Sequence, residues 1–450
     1  MEKEELFETV ADLLVKGDYS RLRAILLELE PFDLAEICEQ LNESHLPLVF
    51  RLLPKDLAAE CFSNMQSDLQ ELLIKRMSDA ELKAMLDEMF VDDTVDVIEE
   101  MPANVAARML ANSDPETREQ INKILNYPKD SAGSIMTTEY VRLNKNMSVA
   151  DAFARIRRVG YEKETIYTCY VTESDRTLVG VVTAMDLMLA EIDTLISELM
   201  ETNVISAKTD DDRESVVKKF SDYNFLALPV VDNSNRLVGI VTVDDAIDVA
   251  LEEATEDLEI MAGITPTDKP YLKTGVISTW LSRVPWLMLL MLSATLTGAI
   301  ISKYEEALSH LVILTSFIPM LMGTAGNAGG QSSVTVIRAL SLGDIEPGDI
   351  FRVLWKELRV SFLCGVSLAI VGYFKAMWID GADPLVALVV CITLFATVVS
   401  AKLVGCCFPV LIKKIGFDPA VVASPFITTV IDALALVVYF AVATAVIPSL

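Results

Sequence analysis

Seven carboxylates fall within the fourteen residues of "DDAIDVALEEATED" (244–257). Carboxylates this dense either repel one another across water or share a divalent cation, which hard oxygen donors bind well. One further carboxylate stands alone. Asp432 lies in "SPFITTVIDALALVVYFAV" (424–442), and no other charged residue occurs from Pro419 to the last residue. At the middle of a membrane span a carboxylate costs roughly 2.5–3.5 kcal/mol, so it must face water or a partner. Two readings follow: Asp432 lines a water-filled ion path, or it is protonated or hydrogen-bonded to a neighbouring helix. Thr428 and Thr429 would add hydroxyl oxygens to the first.

A second intramembrane signal is "MGTAGNAGGQSSVTV" (322–336), where Gly326, Gly329 and other small residues interleave with Asn327 and Gln331. Small residues let helices approach closely. The alternative is a locally broken helix whose carbonyls and amides line a pore, since irregular backbone survives at membrane depth only beside a cavity or inside protein. All these candidate ligands are oxygens, which disfavours zinc and copper. A single carboxylate is too little to strip Mg²⁺ of its water, but two copies of Asp432 could hold the hydrated ion through its own shell.

The elements that would position these groups divide by charge. Residues 1–270 hold 55 acids and 26 bases, and residues 271–450 hold 10 and 11. The acidic part has no basic surface for nucleic acid. No CxxC or HExxH is present, and the seven cysteines read as reduced packing residues; MEKEELFETV, charged and amphipathic, is expected to open a cytosolic segment rather than to act as a secretory leader. Residues 1–130 read as helices, with a weak repeat opening at Pro31, Pro54, Ser78 and Pro102, which implies stacked helical hairpins.

Residues 131–253 duplicate. "RTLVGVVTAMDL" (176–187) returns as "NRLVGIVTVDDA" (235–246), an offset of 59. Each copy reads as a hairpin followed by a helix capped by Thr183 or Thr242, with an acid three residues on. This resembles a tandem pair of CBS domains, modules that commonly sense adenine nucleotides. An acidic helix follows over 244–264. Five candidate spans then lie at 284–301, 311–337, 360–378, 385–412 and 420–447. Nine bases fall on the N-terminal side of this topology and two on the other, which puts the N-terminus in the cytoplasm and the C-terminus outside.

This order of parts, with "GNAGGQ" and "FDPAVVASPFITTVID", resembles the MgtE magnesium channels over essentially the whole chain. The resemblance implies a multidomain membrane protein. Its parts would be an all-α superhelical N-domain (1–130), an α+β tandem CBS pair (131–249), a connecting plug helix (250–274) and an α-helical five-span transmembrane domain (275–450). It further implies a non-enzymatic Mg²⁺ importer of the inner cell membrane, built as a homodimer with its pore on the two-fold axis and Asp432 as its selectivity aspartate. Cytosolic Mg²⁺ would close the gate by bridging Asp92, Asp96, Asp245, Asp248, Glu253, Glu256 and Asp257, with Glu60, Asp212, Glu214 and Asp418 as further ligands. Asp418, in "GFDPA", would meet the plug. Thr242 and Asp245 fit a nucleotide-ribose contact, so ATP is a second expected ligand.

Three other readings compete. A channel for Mn²⁺, Co²⁺ or Ca²⁺ would share the same oxygen ligands. A CBS-regulated membrane enzyme lacks any His pair, Cys–His pair or P-loop to support it. A CBS-linked anion channel would need a basic pore residue.

Overall fold

The computed structural model describes residues 3–267, 271–272, 274–304, 312–422 and 424–447. The chain divides into two compact units, Met1–Ala250 and Leu251–Leu450.

The first unit begins with ten short helices: α1 (Lys3–Lys16), α2 (Tyr19–Leu26), α3 (Pro31–Gln40), α4 (Leu46–Leu52), α5 (Lys55–Ser63), α6 (Ser67–Arg76), α7 (Asp79–Leu86), α8 (Val91–Glu100), α9 (Ala103–Asn112) and α10 (Pro115–Ile124). Helices α3, α5, α7 and α9 start 24 residues apart. Each packs on the next, and α4, α6, α8 and α10 stack likewise. The weak repeat of the sequence is therefore one helical hairpin per unit, which buries its apolar stripe only by stacking. The starts are set by caps. Ser78 and Glu81 form a reciprocal capping box at α7, and the Asp114 carboxylate accepts from the Glu116 and Thr117 amides ahead of α10.

Two three-stranded sheets follow. The first orders β1 (Tyr140–Leu143), β2 (Thr165–Thr172) and β3 (Leu178–Thr183); the second orders β4 (Ala207–Lys208), β5 (Ala227–Val231) and β6 (Leu237–Thr242). In each, the first pair is parallel and the second is a hairpin. Helix α11 (Val149–Val159) crosses from β1 to β2; α12 (Ala184–Leu189) and α13 (Ile196–Leu199) lead to the second sheet, and α14 (Arg213–Tyr223) connects β4 to β5. The hairpin turns place Arg176 and Asn235 at positive φ, 72° and 60°, at matching points of the duplication. The two copies exchange their leading segments. Thr137 bridges to Ile240, and Glu201 to Val181. Gly239 and Gly180 permit this: a Cβ on Gly239 would lie 2.7 Å from the Thr137 carbonyl, and one on Gly180 2.7 Å from the Met200 sulfur. The second sheet shares one core with the helical repeat, in which Val216, Leu228 and Val241 join Val95 and Ile98.

Helix α15 (Val243–Met261) begins directly after β6. Of the plug helix expected over 250–274, residues 250–261 are the second half of this helix, which starts at the CBS strand. It stops at Met261 because Gly263 takes φ 70°, and the Ile264 amide closes on the Glu259 carbonyl. Residues 268–270 lie outside the described residues.

The second unit contains five long helices among its described residues: α16 (Val276–Lys303), α17 (Ile313–Ser341), α18 (Ile350–Trp378), α19 (Pro384–Ile415) and α20 (Ser424–Val446). Among the described residues, four segments are long and apolar enough to cross a membrane: α16, α18 with its preceding turn, α19 and the Phe426–Val446 portion of α20. Helix α17 is as long but carries the small and polar residues of "MGTAGNAGGQSSVTV". It is continuous through them, so the broken-helix alternative is corrected, and Gly326 and Gly329 serve close approach instead. Gly405 of α19 meets the Gly329 carbonyl so closely that a Cβ there would collide with it, and a Cβ on Gly329 would strike Ile431. Helix α19 packs on α17, α18 and α20, whereas α16 leans on α20. A short 3₁₀ turn (Pro419–Val422) precedes α20.

Candidate metal centre and pore residues

The first unit gathers acids at the starts of four elements. Asp92 and Asp93 occupy the first turn of α8, Glu139 and Glu164 immediately precede β1 and β2, and Asp244 and Asp245 open α15. Positive helix dipole ends favour carboxylates at α8 and α15. The paired strands explain the other two: Tyr140 and Thr165 are register partners, and the Glu164 amide donates to the Glu139 carbonyl at 3.0 Å. Ligand oxygens of Asp92, Glu139 and Glu164 all lie within 4.8 Å of one another. One Glu139 oxygen accepts the Val91 amide at 3.2 Å and so caps α8. Asp93 accepts from the Ser63 hydroxyl at 3.1 Å.

The arrangement is electrostatically strained. Burial, then the charges of Asp245, Glu164, Asp93 and Glu139, holds Asp92 well above the usual carboxylate range. Burial with Asp244 and Asp245 pushes Glu164 up to about 8. Burial raises Asp245 to about 6, with Asp244 and Asp93 adding and the Thr242 hydrogen bond opposing. Asp93 and Glu139 are raised chiefly by burial; Asp244 and Glu60 add at Asp93, and Lys163 opposes at Glu139. Moreover, Asp92 Oδ1 and Glu164 Oε2 are sealed from solvent without a hydrogen-bond partner. Buried carboxylate oxygens without donors are what a hard divalent cation satisfies, so the residues present fit such an ion.

Some expected residues join this cluster and others do not. Asp92 and Asp245 belong to it, and Glu60 lies at its edge beside Asp93. Asp96 is exposed on α8, and Asp248 is raised by burial and by Asp244. Asp212 spends its carboxylate capping α14, accepting the Glu214 amide at 2.8 Å. Thr242 Oγ1 donates to Asp245 at 2.5 Å, the local cap that the sequence implies. In the second unit, Asp257 is raised by burial and by Asp418 and Glu253 beside it, so the α15 acids and the "GFDPA" turn come together there. Glu256 lies on the same stretch of α15. Glu139 and Glu164 were absent from the sequence expectation. Their signal is an acid directly before each of two strands, which becomes visible only once those strands pair in parallel.

At the other end of the chain, Asp432 is half-buried on α20 one turn after Thr428. Gly326 of α17 faces both: a Cβ there would lie 3.2 Å from Thr428 Cγ2 and 3.6 Å from Asp432 Oδ1. Thr429 turns to another side, its hydroxyl 3.1 Å from that of Ser293 on α16. Asn327 and Gln331 are exposed on α17, and with Gly323 and Thr335 they make an exposed stripe at four-residue spacing.

Comparison with known proteins agrees with this layout. A family model described as "Divalent cation transporter" (MgtE) matches residues 318–442, the MgtE intracellular N domain matches 29–130, and CBS domains match 132–193 and 196–252. The magnesium transporter MgtE of Thermus thermophilus is 36% identical over 98% of this chain and 98% of its own. That of Bacillus subtilis is 35% identical over 100% of this chain and 99% of its own. Among solved structures, the soluble part of a magnesium transporter matches with TM-score 0.53 and 32% identity, covering 56% of this chain and all of that one. The cytosolic domain of the Mg²⁺ channel MgtE in complex with ATP matches with TM-score 0.52 and 36% identity, covering 54% and 99%. Full-length identity to two such relatives, a matching domain order and apolar helices of membrane-spanning length lead to one assignment: this chain belongs to the MgtE family of multi-pass magnesium transporters.

Proposed function

We propose that the chain is a magnesium-selective channel that imports Mg²⁺ through the pore of a homodimer, with Asp432 of each copy at its centre. The exposed stripe Gly323–Asn327–Gln331–Thr335 carries this reading. A polar face on a helix bundled with apolar neighbours requires water or a second polar surface, and a two-fold pore supplies both. Mg²⁺ releases its water reluctantly, so a pair of carboxylates acting through the hydration shell suits it. The proposed orientation keeps the N-terminus in the cytoplasm and the C-terminus outside, following the basic loops. Flux into liposomes across Mg²⁺, Mn²⁺, Co²⁺ and Ca²⁺ is the test. Asp432→Ala should abolish Mg²⁺ entry or its selectivity, and unchanged selective flux at normal expression overturns the assignment.

Regulation is proposed to run through the acids. A cation held by Asp92, Glu139 and Glu164, with Asp93 and Asp245 beside them, would offset their mutual repulsion and favour the compact arrangement of the first unit. Closure requires that the compact state bind the ion more tightly than the open one. Asp96 on α8 and Asp248 on α15 are proposed as further sensing acids of the first unit, and Glu253, Glu256, Asp257 and Asp418 as those of the second. ATP is proposed to bind at the CBS pair, with Thr242 and Asp245 at the ribose. If the Asp92→Asn/Glu164→Gln double variant keeps full inhibition of flux by internal Mg²⁺, the sensing assignment fails.

A further inference from the structure

The second unit holds a buried polar relay that transport through Asp432 does not directly use. Glu357 on α18, Ser332 on α17 and Lys402 on α19 are 9%, 2% and 5% exposed. The Ser332 hydroxyl donates to Glu357 Oε2 at 2.6 Å and accepts from Lys402 Nζ at 3.3 Å. Two opposite charges on two helices thus meet through one hydroxyl on a third. Buried ions without good partners are strongly disfavoured, so a charge placed on each flanking helix restricts where Ser332 can sit.

The position of Ser332 on α17 gives the relay its consequence. Gly326, Gly329 and Ser332 follow at three-residue intervals, about 9 Å of helix from first to last. Gly326 faces Asp432 and Thr428, Gly329 abuts Gly405 and Ile431, and Ser332 enters the relay. Lys402 and Gly405 are likewise three apart on α19, so one helix edge supplies both the backbone contact and the ammonium. A rotation of α17 that broke the Ser332 bonds would also carry Gly326 away from Asp432. Backbone contact through glycines is close but smooth, and offers little resistance to sliding. The directional bonds at Ser332 supply that resistance.

We infer that the Lys402–Ser332–Glu357 relay is a positioning device that fixes the rotational register of α17 and thereby the discrimination of ions at Asp432. It rests on the reading of Asp432 as the pore carboxylate. None of the three is assigned contact with the ion.

The test uses the full chain in liposomes, comparing Ser332→Ala, the charge-neutral double variant Lys402→Met/Glu357→Gln, and Asp432→Ala. The readouts are the Mg²⁺-over-Ca²⁺ flux ratio, the half-saturating Mg²⁺ concentration and thermal unfolding in detergent. Ser332→Ala is expected to remain folded while its Mg²⁺-over-Ca²⁺ ratio falls about tenfold, and the double variant should lose the ratio similarly. A merely structural relay would shift unfolding alone. Native ratios and half-saturation in both relay variants overturn the inference, whatever their stability. If those ratios stay native while Asp432→Ala loses transport, only the relay fails. If Asp432→Ala itself transports Mg²⁺ selectively, the pore reading fails instead.

Discussion

The Glu164 amide donates to the Glu139 carbonyl at 3.0 Å, so two glutamates distant in sequence leave neighbouring parallel strands side by side. Asp92, at the start of α8, completes a trio whose oxygens lie within 4.8 Å. No local sequence window holds these three together. The helical repeat supplies one, the strands of the first sheet supply two, and Asp244 and Asp245 approach from the segment after the second sheet. A cation here would tie together three stretches of chain that are otherwise pushed apart.

Glu139→Gln/Glu164→Gln should separate repulsion from ion binding. Without divalent ions, and at a pH above the value of about 8 to which Glu164 is raised, the variant is expected to melt higher than the native chain, because two like charges are gone. With saturating Mg²⁺ the order should reverse, since the native chain alone gains the linkage energy of a bound ion. Differential scanning calorimetry in EDTA and in Mg²⁺ checks this. Equal Mg²⁺-induced shifts in both proteins would remove the trio from the site.

The same charges set a pH dependence. Burial and neighbouring acids raise Glu164 from the ordinary 4.5 to about 8 and Asp245 from 3.8 to about 6. A raised folded-state value means the folded form holds the proton more tightly. The contribution to stability is therefore complete below about pH 4 and is lost as pH climbs through about 6 for Asp245 and about 8 for Glu164. In metal-free buffer, unfolding should become easier from pH 5 to pH 8, measured by denaturant titration at each pH. Mg²⁺ should flatten that slope by competing with protons, and its affinity should weaken on acidification. A metal-free profile flat from pH 5 to pH 8 contradicts the assignment.

Much of the architecture was legible because it is periodic. The hairpin repeat, the 59-residue duplication and the charge-free stretches are patterns that a chain displays without contacts. Thr183 with Asp186 and Thr242 with Asp245 were legible as caps because capping is local. The exchange of leading segments between the CBS copies was not, since Gly180 and Gly239 show their purpose only when Met200 and Met136 lie against them. For the same reason "GNAGGQ" was open to two readings: glycine marks either a break or a close approach, and only Gly405 opposite Gly329 decides for the second. Glu139 and Glu164 needed the strand register, and the Glu357–Ser332–Lys402 relay needed three packed helices.

Gly405→Ala tests the close approach of α17 and α19. Its Cβ would run into the Gly329 backbone carbonyl, which cannot move aside as a side-chain tip could. Separating the helices should cost about 1–3 kcal/mol of stability, the usual scale of overpacking. It should also disturb Gly326 against Asp432, so Mg²⁺ flux should fall more than the loss of folded protein explains. Gly298 on α16 has open space around it. Gly298→Ala should therefore leave melting and flux close to native, and an equal effect of the two substitutions would refute the packing argument.

ATP and Mg²⁺ should be coupled at the CBS pair. If Thr242 and Asp245 take the ribose, the triphosphate lies in the field of the acids whose charges, with burial, raise Asp92 and Glu164. Polyphosphate is repelled by that field unless divalent ions offset it, whereas uncharged adenosine is not. Calorimetric titration of the full chain should show ATP binding strengthened tenfold or more by saturating Mg²⁺, with adenosine binding nearly unchanged. Linkage is reciprocal, so ATP should strengthen Mg²⁺ binding by the same factor. Asp245→Asn should weaken adenosine binding if Asp245 holds the ribose; if its role is confined to the acid cluster, adenosine binding should stay native and only the Mg²⁺ dependence of ATP should shrink.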